Sequence, residues 1–207
     1  MEVGVIDYGL GNVRSVTSAV ERQGYRAVLT RNPQDLARVD RLVLPGVGAY
    51  GDAMARLHNY GLVPVLHEQV LEKRKHILGI CLGMQLLCEE SDEFGHCEGL
   101  GWLPAKVRRL EVSEGLRLPH VGWDDLEQVE DSPLFDGIAD DALFYYVHSF
   151  YADSREADVV KGICDYGMSF AACLSMQNIH GVQFHPEKSQ LHGLNLLKNF
   201  LNLAEVC

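Results

Sequence analysis

Cys81 stands between two glycines, Gly79 and Gly83, within His76–Leu87 (HILGICLGMQLL). Apolar Ile77, Leu78 and Ile80 run into the cysteine as a strand would, and Leu82, Met84, Leu86 and Leu87 leave it in a helix-compatible run. Gly-x-Cys-x-Gly at a strand-to-helix corner is the cysteine counterpart of a nucleophile elbow, a turn so tight that neighbouring side chains must be small. A sulfur placed there faces unpaired N–H groups and the positive end of the helix dipole, which favour thiolate over thiol. The structural alternative is a buried cysteine packed between a core strand and a core helix. For Cys81 to act as a nucleophile, the chain must also supply a base and an oxyanion hole.

Gly181–Ser189 (GVQFHPEKS) offers the base. Val182 and Phe184 read as inward-facing strand residues, with His185 at the strand's end. Glu187, two positions on, shares the side of His185 in extended geometry, and Pro186 fixes the backbone between them. An imidazole takes the thiol proton while a carboxylate fixes its tautomer and stabilises the imidazolium. The alternative is a surface His-Pro-Glu turn. In doubly wound sheets reactive groups gather outside the carboxyl ends of the strands, where both motifs fall.

Pro45–Gly51 (PGVGAYG) contains a full G-x-G-x-x-G at Gly46, Gly48 and Gly51, after a strand and before a helix. One reading is a dinucleotide-binding turn, but that fingerprint wants an acidic residue about 20 positions on, at the end of the next strand. Here the next strand ends in Cys81, and Glu68 and Glu72 fall within a predicted helix. The other reading is a flexible loop whose backbone N–H groups face the thiol and hold a developing oxyanion. Asp7–Asn12 (DYGLGN) lacks the third glycine and reads as a tight β–α turn. In Pro119–Asp124 (PHVGWD) a core tryptophan is the plain reading, and an exposed one would mark a protein interface.

The elements that must position these groups follow from periodicity. Strands are expected at Val3–Asp7, Arg26–Thr30, Asp40–Leu44 and into Cys81, and helices over 13–20, closed by Gly24, and at Asp52–His58 and Val63–Arg74. This alternation predicts a parallel sheet covered on both faces. Ser91–Gly101 reads as loop. Shorter β-like runs follow at Ala105–Leu110, Leu143–His148, Val159–Cys164, Ser169–Ser175 and Ile179–Phe184, spaced as hairpins and antiparallel strands are. Leu191–Leu203 closes the chain as a helix, with Leu194, Leu197, Phe200 and Leu201 on one stripe.

Composition sets the outer bounds. The 207 residues suffice for one domain with a full core, and 47% hydrophobic with 23% charged residues is ordinary for a globular chain. A net charge of −11 with no basic run argues against nucleic acid. Nothing resembles a signal peptide or a bilayer-spanning run. The six cysteines (81, 88, 97, 164, 173 and 207) form no C-x-x-C pair, and the nine histidines form no H-x-x-x-H pair. No metal site, cofactor or disulfide framework is therefore expected, and a reducing cytoplasm is the natural compartment.

Together, LGICLGMQLL, LVLPGVGAYGDA and GVQFHPEKS resemble a class I (triad-type) glutamine amidotransferase. DYGLGNVRSV, PHVGWD and YYVHSFY narrow the resemblance to the glutaminase subunit of imidazole glycerol phosphate synthase, in histidine biosynthesis, from about residue 4 to 203. The resemblance implies an α/β fold: a flavodoxin-like, mostly parallel sheet with flanking helices and added antiparallel strands in the second half. Residues 1–207 are expected to form a single amidotransferase domain. It implies that Cys81 attacks the glutamine amide to form a glutamyl thioester. His185 would protonate the leaving ammonia and then activate water, oriented by Glu187. Backbone N–H groups of Leu82 and, after the loop reorients, Val47 would form the oxyanion hole, while Gly48, Gln85 and the Ser149–Phe150 backbone hold the substrate. Ammonia would pass to a (β/α)₈ cyclase partner in a heterodimer, yielding imidazole glycerol phosphate and aminoimidazole carboxamide ribotide. Asn12, Trp123, Tyr145 and Lys188 match positions at or near that interface. Asp124 departs from the pattern, which has Asn after Gly-Trp, and puts an interface hydrogen bond there in doubt. The rivals are a glutaminase serving another synthase, such as that for pyridoxal phosphate, against which PHVGWD argues, and a catalytically silent flavodoxin-like binding module, against which intact Cys81, His185 and Glu187 argue.

Overall fold

In this computed structural model residues 1–205 are described; Cys207 lies outside them. The first half runs Glu2–Ile6 (β1), Val13–Arg22 (α1), Arg26–Thr30 (β2), Pro33–Arg38 (α2), Arg41–Gly46 (β3), Tyr50–Asn59 (α3) and Leu62–His67 (α4). A π-helical turn, Glu68–Glu72, leads on to Ile77–Cys81 (β4) and Leu82–Leu86 (α5). The second half contains Cys88–Ser91 (β5), Cys97–Glu98 (β6), Leu103–Arg109 (β7), His120–Asp125 (β8), Glu127–Gln128 (β9) and Leu143–His148 (β10). Phe150–Ser154 (β11), Val160–Asp165 (β12), Ser169–Met176 (β13), Ile179–Val182 (β14) and Gln190–Leu201 (α6) complete it.

Five strands pair in parallel in the order β2-β1-β3-β4-β14. Beyond β14 the sheet continues through antiparallel β13, β11 and β7, so the expected parallel sheet with antiparallel additions is what the chain builds. β8 and β10 form a separate antiparallel ribbon. Side chains alternate across the parallel half as period-two geometry requires. Leu42 and Leu44 join a core under α3 and α4, while Val43, Leu78 and Ile80 join a second core under α1 and α6. On α1 the buried Val16, Ala19 and Val20 recur at i, i+3 and i+4, and α6 buries Gly193, Leu196, Leu197, Phe200 and Leu201.

Several elements differ from expectation. Ser91–Gly101 is not all loop, because β5 and β6 pair across it. α2 is an extra helix, capped by Asn32, whose side chain accepts from the Gln34 amide, with Pro33 at its first position. His120–Asp124 of PHVGWD lie in strand β8, and β11 follows β10 after a single residue. The helix expected over 63–74 widens into the π turn, and the closing helix ends at Leu201. β14 ends at Val182, so Phe184 and His185 lie beyond the strand, although Val182 and Phe184 are both buried as expected.

Candidate active site

The elbow at Cys81 is built from close backbone approaches. Cys81 has φ 55° and ψ −112°, a strained conformation for a residue with a Cβ. A methyl group on Gly83 would lie 1.7 Å from the Leu44 carbonyl oxygen, and one on Gly79 would lie 2.7 Å from the Gly83 backbone. Only glycines let α5 start this tightly against β3 and β4. Gly46 stands in register with Cys81, which brings the Pro45–Gly48 loop beside the thiol. The helix leaving the elbow is shorter than the sequence suggested, five residues, so the dipole behind the sulfur is small.

His185 and Glu187 are brought together by a tight turn, not by extended chain: Pro186–Lys188 is a single 3₁₀ turn. His185 Nδ1 lies 2.9 Å from Glu187 Oε1, and both side chains are buried. The turn is fastened on each side. The His185 amide donates to the Tyr145 carbonyl, Ser189 Oγ donates to the His185 carbonyl, and the Tyr145 amide donates back to Ser189 Oγ. Gly193 lets α6 press against it, since a methyl group there would sit 2.0 Å from the Pro186 carbonyl. In the neutral form of the ring, donation of Nδ1–H to the carboxylate leaves the lone pair on Nε2, a buried nitrogen with no hydrogen-bond partner. Burial opposes charge on His185, but its interactions with Cys81 and Glu187 outweigh this and raise it to about 9.

Val47, Gly48, Cys81, Leu82, Gln85, Ser149 and Phe150 line one cavity of about 590 Å³. All the expected oxyanion and substrate residues therefore share a wall with the thiol. Gln85 Nε2 donates to the Phe150 carbonyl at 2.9 Å and to Gln183 Oε1 at 3.0 Å. The interface set divides. Trp123 is exposed, packs edge-on to Tyr145 at 5.9 Å, and Lys188 Nζ stands 5.3 Å from the Tyr145 ring. Asn12 instead reaches Glu187 Oε1 with its side-chain amide at 3.3 Å, behind the histidine.

Sequence reasoning missed four residues here. Gln183 is fully buried, with Nε2 3.7 Å from Cys81 Sγ. A polar residue between the core positions Val182 and Phe184 was the available signal. Glu93 and Arg109 line the cavity with opposite charges, and His148 lines it beside Ser149. Only tertiary folding brings these last three to the thiol. The Glu93 carboxylate also accepts from the Tyr50 amide at 2.7 Å, at the start of α3, where a phosphate cradle would offer its N–H groups to the ligand. Among the described residues no cluster of metal-ligating side chains occurs, and no helix is long and apolar enough to cross a membrane.

Residues 4–204 match the family described as glutamine amidotransferase class-I. The chain is 45% identical over 201 residues to imidazole glycerol phosphate synthase subunit HisH 1 of Campylobacter jejuni, covering 97% of this chain and all of that one. It is 46% identical over 199 residues to the HisH subunit of Desulfitobacterium hafniense, covering 96% and 92%. In fold it is similar to PurLQS from Thermotoga maritima, with TM-score 0.76, 21% identity and 97% of each chain covered. A glutamine amidotransferase from Thermotoga maritima is similar at TM-score 0.67 and 20% identity, covering 97% and 96%. The chain belongs to the class-I glutamine amidotransferases, and within them to the HisH subunits of imidazole glycerol phosphate synthase.

Proposed function

We propose that this chain is the glutaminase subunit of an imidazole glycerol phosphate synthase, acting as one amidotransferase domain in the cytoplasm. The observation that carries the reading is the strained Cys81 on the wall of a cavity with charges suited to an amino acid, together with the buried His185–Glu187 pair whose imidazole interacts with it. Glu93 faces the α-ammonium of glutamine and Arg109 its α-carboxylate. Gly48, Gln85 and the Ser149–Phe150 backbone enclose the side chain.

The Cys81 proton moves to His185 Nε2, and the sulfur attacks the amide carbon. Backbone N–H groups of Leu82 and Val47 hold the oxyanion. The imidazolium, stabilised by Glu187, then gives its proton to the leaving nitrogen, releasing ammonia and leaving a glutamyl thioester. Water, deprotonated by His185 Nε2, attacks the thioester, and the imidazolium returns that proton to the departing Cys81 sulfur, giving glutamate and the free thiol.

Trp123, Tyr145 and Lys188 form the docking patch for the (β/α)₈ cyclase, with Asn12 coupling that side to Glu187. The patch adjoins the histidine directly, because the Tyr145 carbonyl accepts from the His185 amide. Ammonia thus has a short route to the partner.

Glutamate release, measured with and without the cyclase and its nucleotide substrate, tests the reading. A large rise with both supports it together with a partner-set oxyanion loop. No release in any mixture of folded proteins sinks it.

A further inference from the structure

Gln183 puts a carboxamide at a core position. It is fully buried, as are Val182 and Phe184 on either side, and its backbone amide donates to the Ala172 carbonyl of β13. Its side chain belongs to no part of the triad, yet it ends 3.7 Å from the Cys81 sulfur. Which end of the carboxamide faces the sulfur follows from the groups around it. The Phe150 carbonyl only accepts, so the Gln85 side-chain atom 2.9 Å from it is the nitrogen. That nitrogen only donates, so the Gln183 atom 3.0 Å from it is the oxygen. The Gln183 nitrogen is then the atom left for Cys81, and the sulfur meets an N–H. The Val147 carbonyl, 3.8 Å from the same sulfur, only accepts, so the S–H of the resting thiol points there.

We propose that Gln183 is a catalytic residue: its side-chain N–H donates to the Cys81 sulfur and holds the thiolate each time the reaction forms one. The proposal rests on the glutamine reading above and adds the donor that the nucleophile itself needs. Once the thiol proton has gone to His185, the Val147 carbonyl has nothing left to accept, and the Gln183 N–H stays on the sulfur. The same bond serves when hydrolysis of the thioester expels that sulfur. A hydrogen bond to an ionised acceptor is stronger than one to a neutral acceptor, so the bond favours the reacting form of the thiol. The helix behind the sulfur has only five residues and a small dipole, which leaves this work to a side chain.

A purely structural Gln183 would only give Gln85 an acceptor through its Oε1. Gln183→Glu separates the two roles, because a carboxylate keeps that acceptor and has no N–H for the sulfur. Gln183→Met removes both roles at similar volume, and it decides the question if a buried carboxylate prevents folding.

The free proteins are alkylated with iodoacetamide at about pH 7, below the ordinary range of a thiol, and the rate is read on the Cys81 peptide. Glutamate release with saturating cyclase and its nucleotide substrate gives kcat and KM. Alkylation of Cys81 is expected to slow roughly fivefold in both variants and kcat to fall roughly tenfold, the worth of a hydrogen bond to a charged group. KM should stay at the wild-type value in Gln183→Glu and rise in Gln183→Met, where Gln85 loses its acceptor. Folded variants whose Cys81 is alkylated as fast as wild type overturn the proposal, whatever KM does. The ¹H–¹⁵N signals of the Gln183 side chain in wild type test it without a change at 183. They should move between about pH 6 and about pH 10, where thiols ionise, and move less in Cys81→Ala, which keeps His185. Identical movement in the two proteins refutes the bond. A wild type that never releases glutamate removes the glutamine reading, while alkylation and the amide signals still decide Gln183.

Discussion

Two pairs of histidines lie buried in hydrogen-bonded chains at opposite ends of β4. At the far end from the site, Ser175 Oγ stands 2.8 Å from His180 Nδ1, His180 Nε2 stands 3.0 Å from His76 Nδ1, and His76 Nε2 stands 2.8 Å from the Ala204 carbonyl. Only the last group must accept. A hydroxyl and two neutral imidazoles supply three donors for three contacts, so this chain closes without an added proton. Beside it Arg41 binds the Leu201 and Leu203 carbonyls, so the end of the sheet grips residues 201–204. At the cavity, His148 Nδ1 lies 2.8 Å from the Phe150 carbonyl oxygen and His148 Nε2 3.2 Å from His120 Nδ1, so two neutral imidazoles supply the two donors those contacts need. The same pair of side chains therefore latches residues 201–204 at one end of the sheet and supports the cavity wall at the other.

That contrast can be broken from either end. The reference point is Cys81→Ser, which is expected to lower glutamate release by about 10⁴-fold or more, as loss of a nucleophile does elsewhere. Its thermal midpoint and cyclase binding should stay near wild type; retained turnover would remove the mechanism. At the latch, His180→Leu strands the buried His76 Nδ1 and removes the partner of the half-buried Ser175 hydroxyl. Urea unfolding should show a loss of about 2–3 kcal/mol, with kcat and KM unchanged. At the cavity, His148→Ala should cost at least as much stability, because it strands His120 Nδ1 and leaves a void beside Phe170, but it should also raise glutamine KM roughly tenfold. If both variants changed stability and kinetics alike, the two chains would not differ in role.

The smallest effect is in the pH dependence of stability. Burial lowers His180 and His148 to about 3 and His120 to about 4, below the unfolded value, so the unfolded chain binds more protons in that window. Stability is full above about pH 6.5 and falls as the solution is acidified through the folded values. His185 runs the other way. Raised to about 9, it stabilises the fold below about pH 6.5, and that contribution is lost as pH climbs through 9. Denaturant midpoints against pH should show His180→Leu with a shallower acid limb, and His185→Gln with a shallower alkaline one.

The chemistry was more legible in the sequence than the supports around it. Gly79 and Gly83 betray the elbow because local sterics alone demand them, and Pro186 betrays the turn at His185. The pairing of His185 with Glu187 was foreseen for the wrong reason, since a 3₁₀ turn joins them and not an extended strand. The sequence assigns PHVGWD no element, because Pro119 and Gly122 obscure its strand alternation, and that conceals β8 and the contacts of His120. Glu93, Arg109 and His148 meet the thiol only after β7 and β10 are in place, and no local pattern marks such a meeting. Asn12, matched to a position at or near the partner interface, also turns its amide onto Glu187, a contact no local pattern marks.

The central claim is covalent chemistry at Cys81. The most direct measurement is the intact mass of the enzyme quenched in acid during turnover of glutamine with the cyclase present, followed by mapping of any adduct. A glutamyl group on the Cys81 peptide, absent from Cys81→Ser and decaying as glutamate appears, is the predicted result. Continuing glutamate release with Cys81 unmodified at every quench time, and with Cys81→Ser equally active, would contradict it.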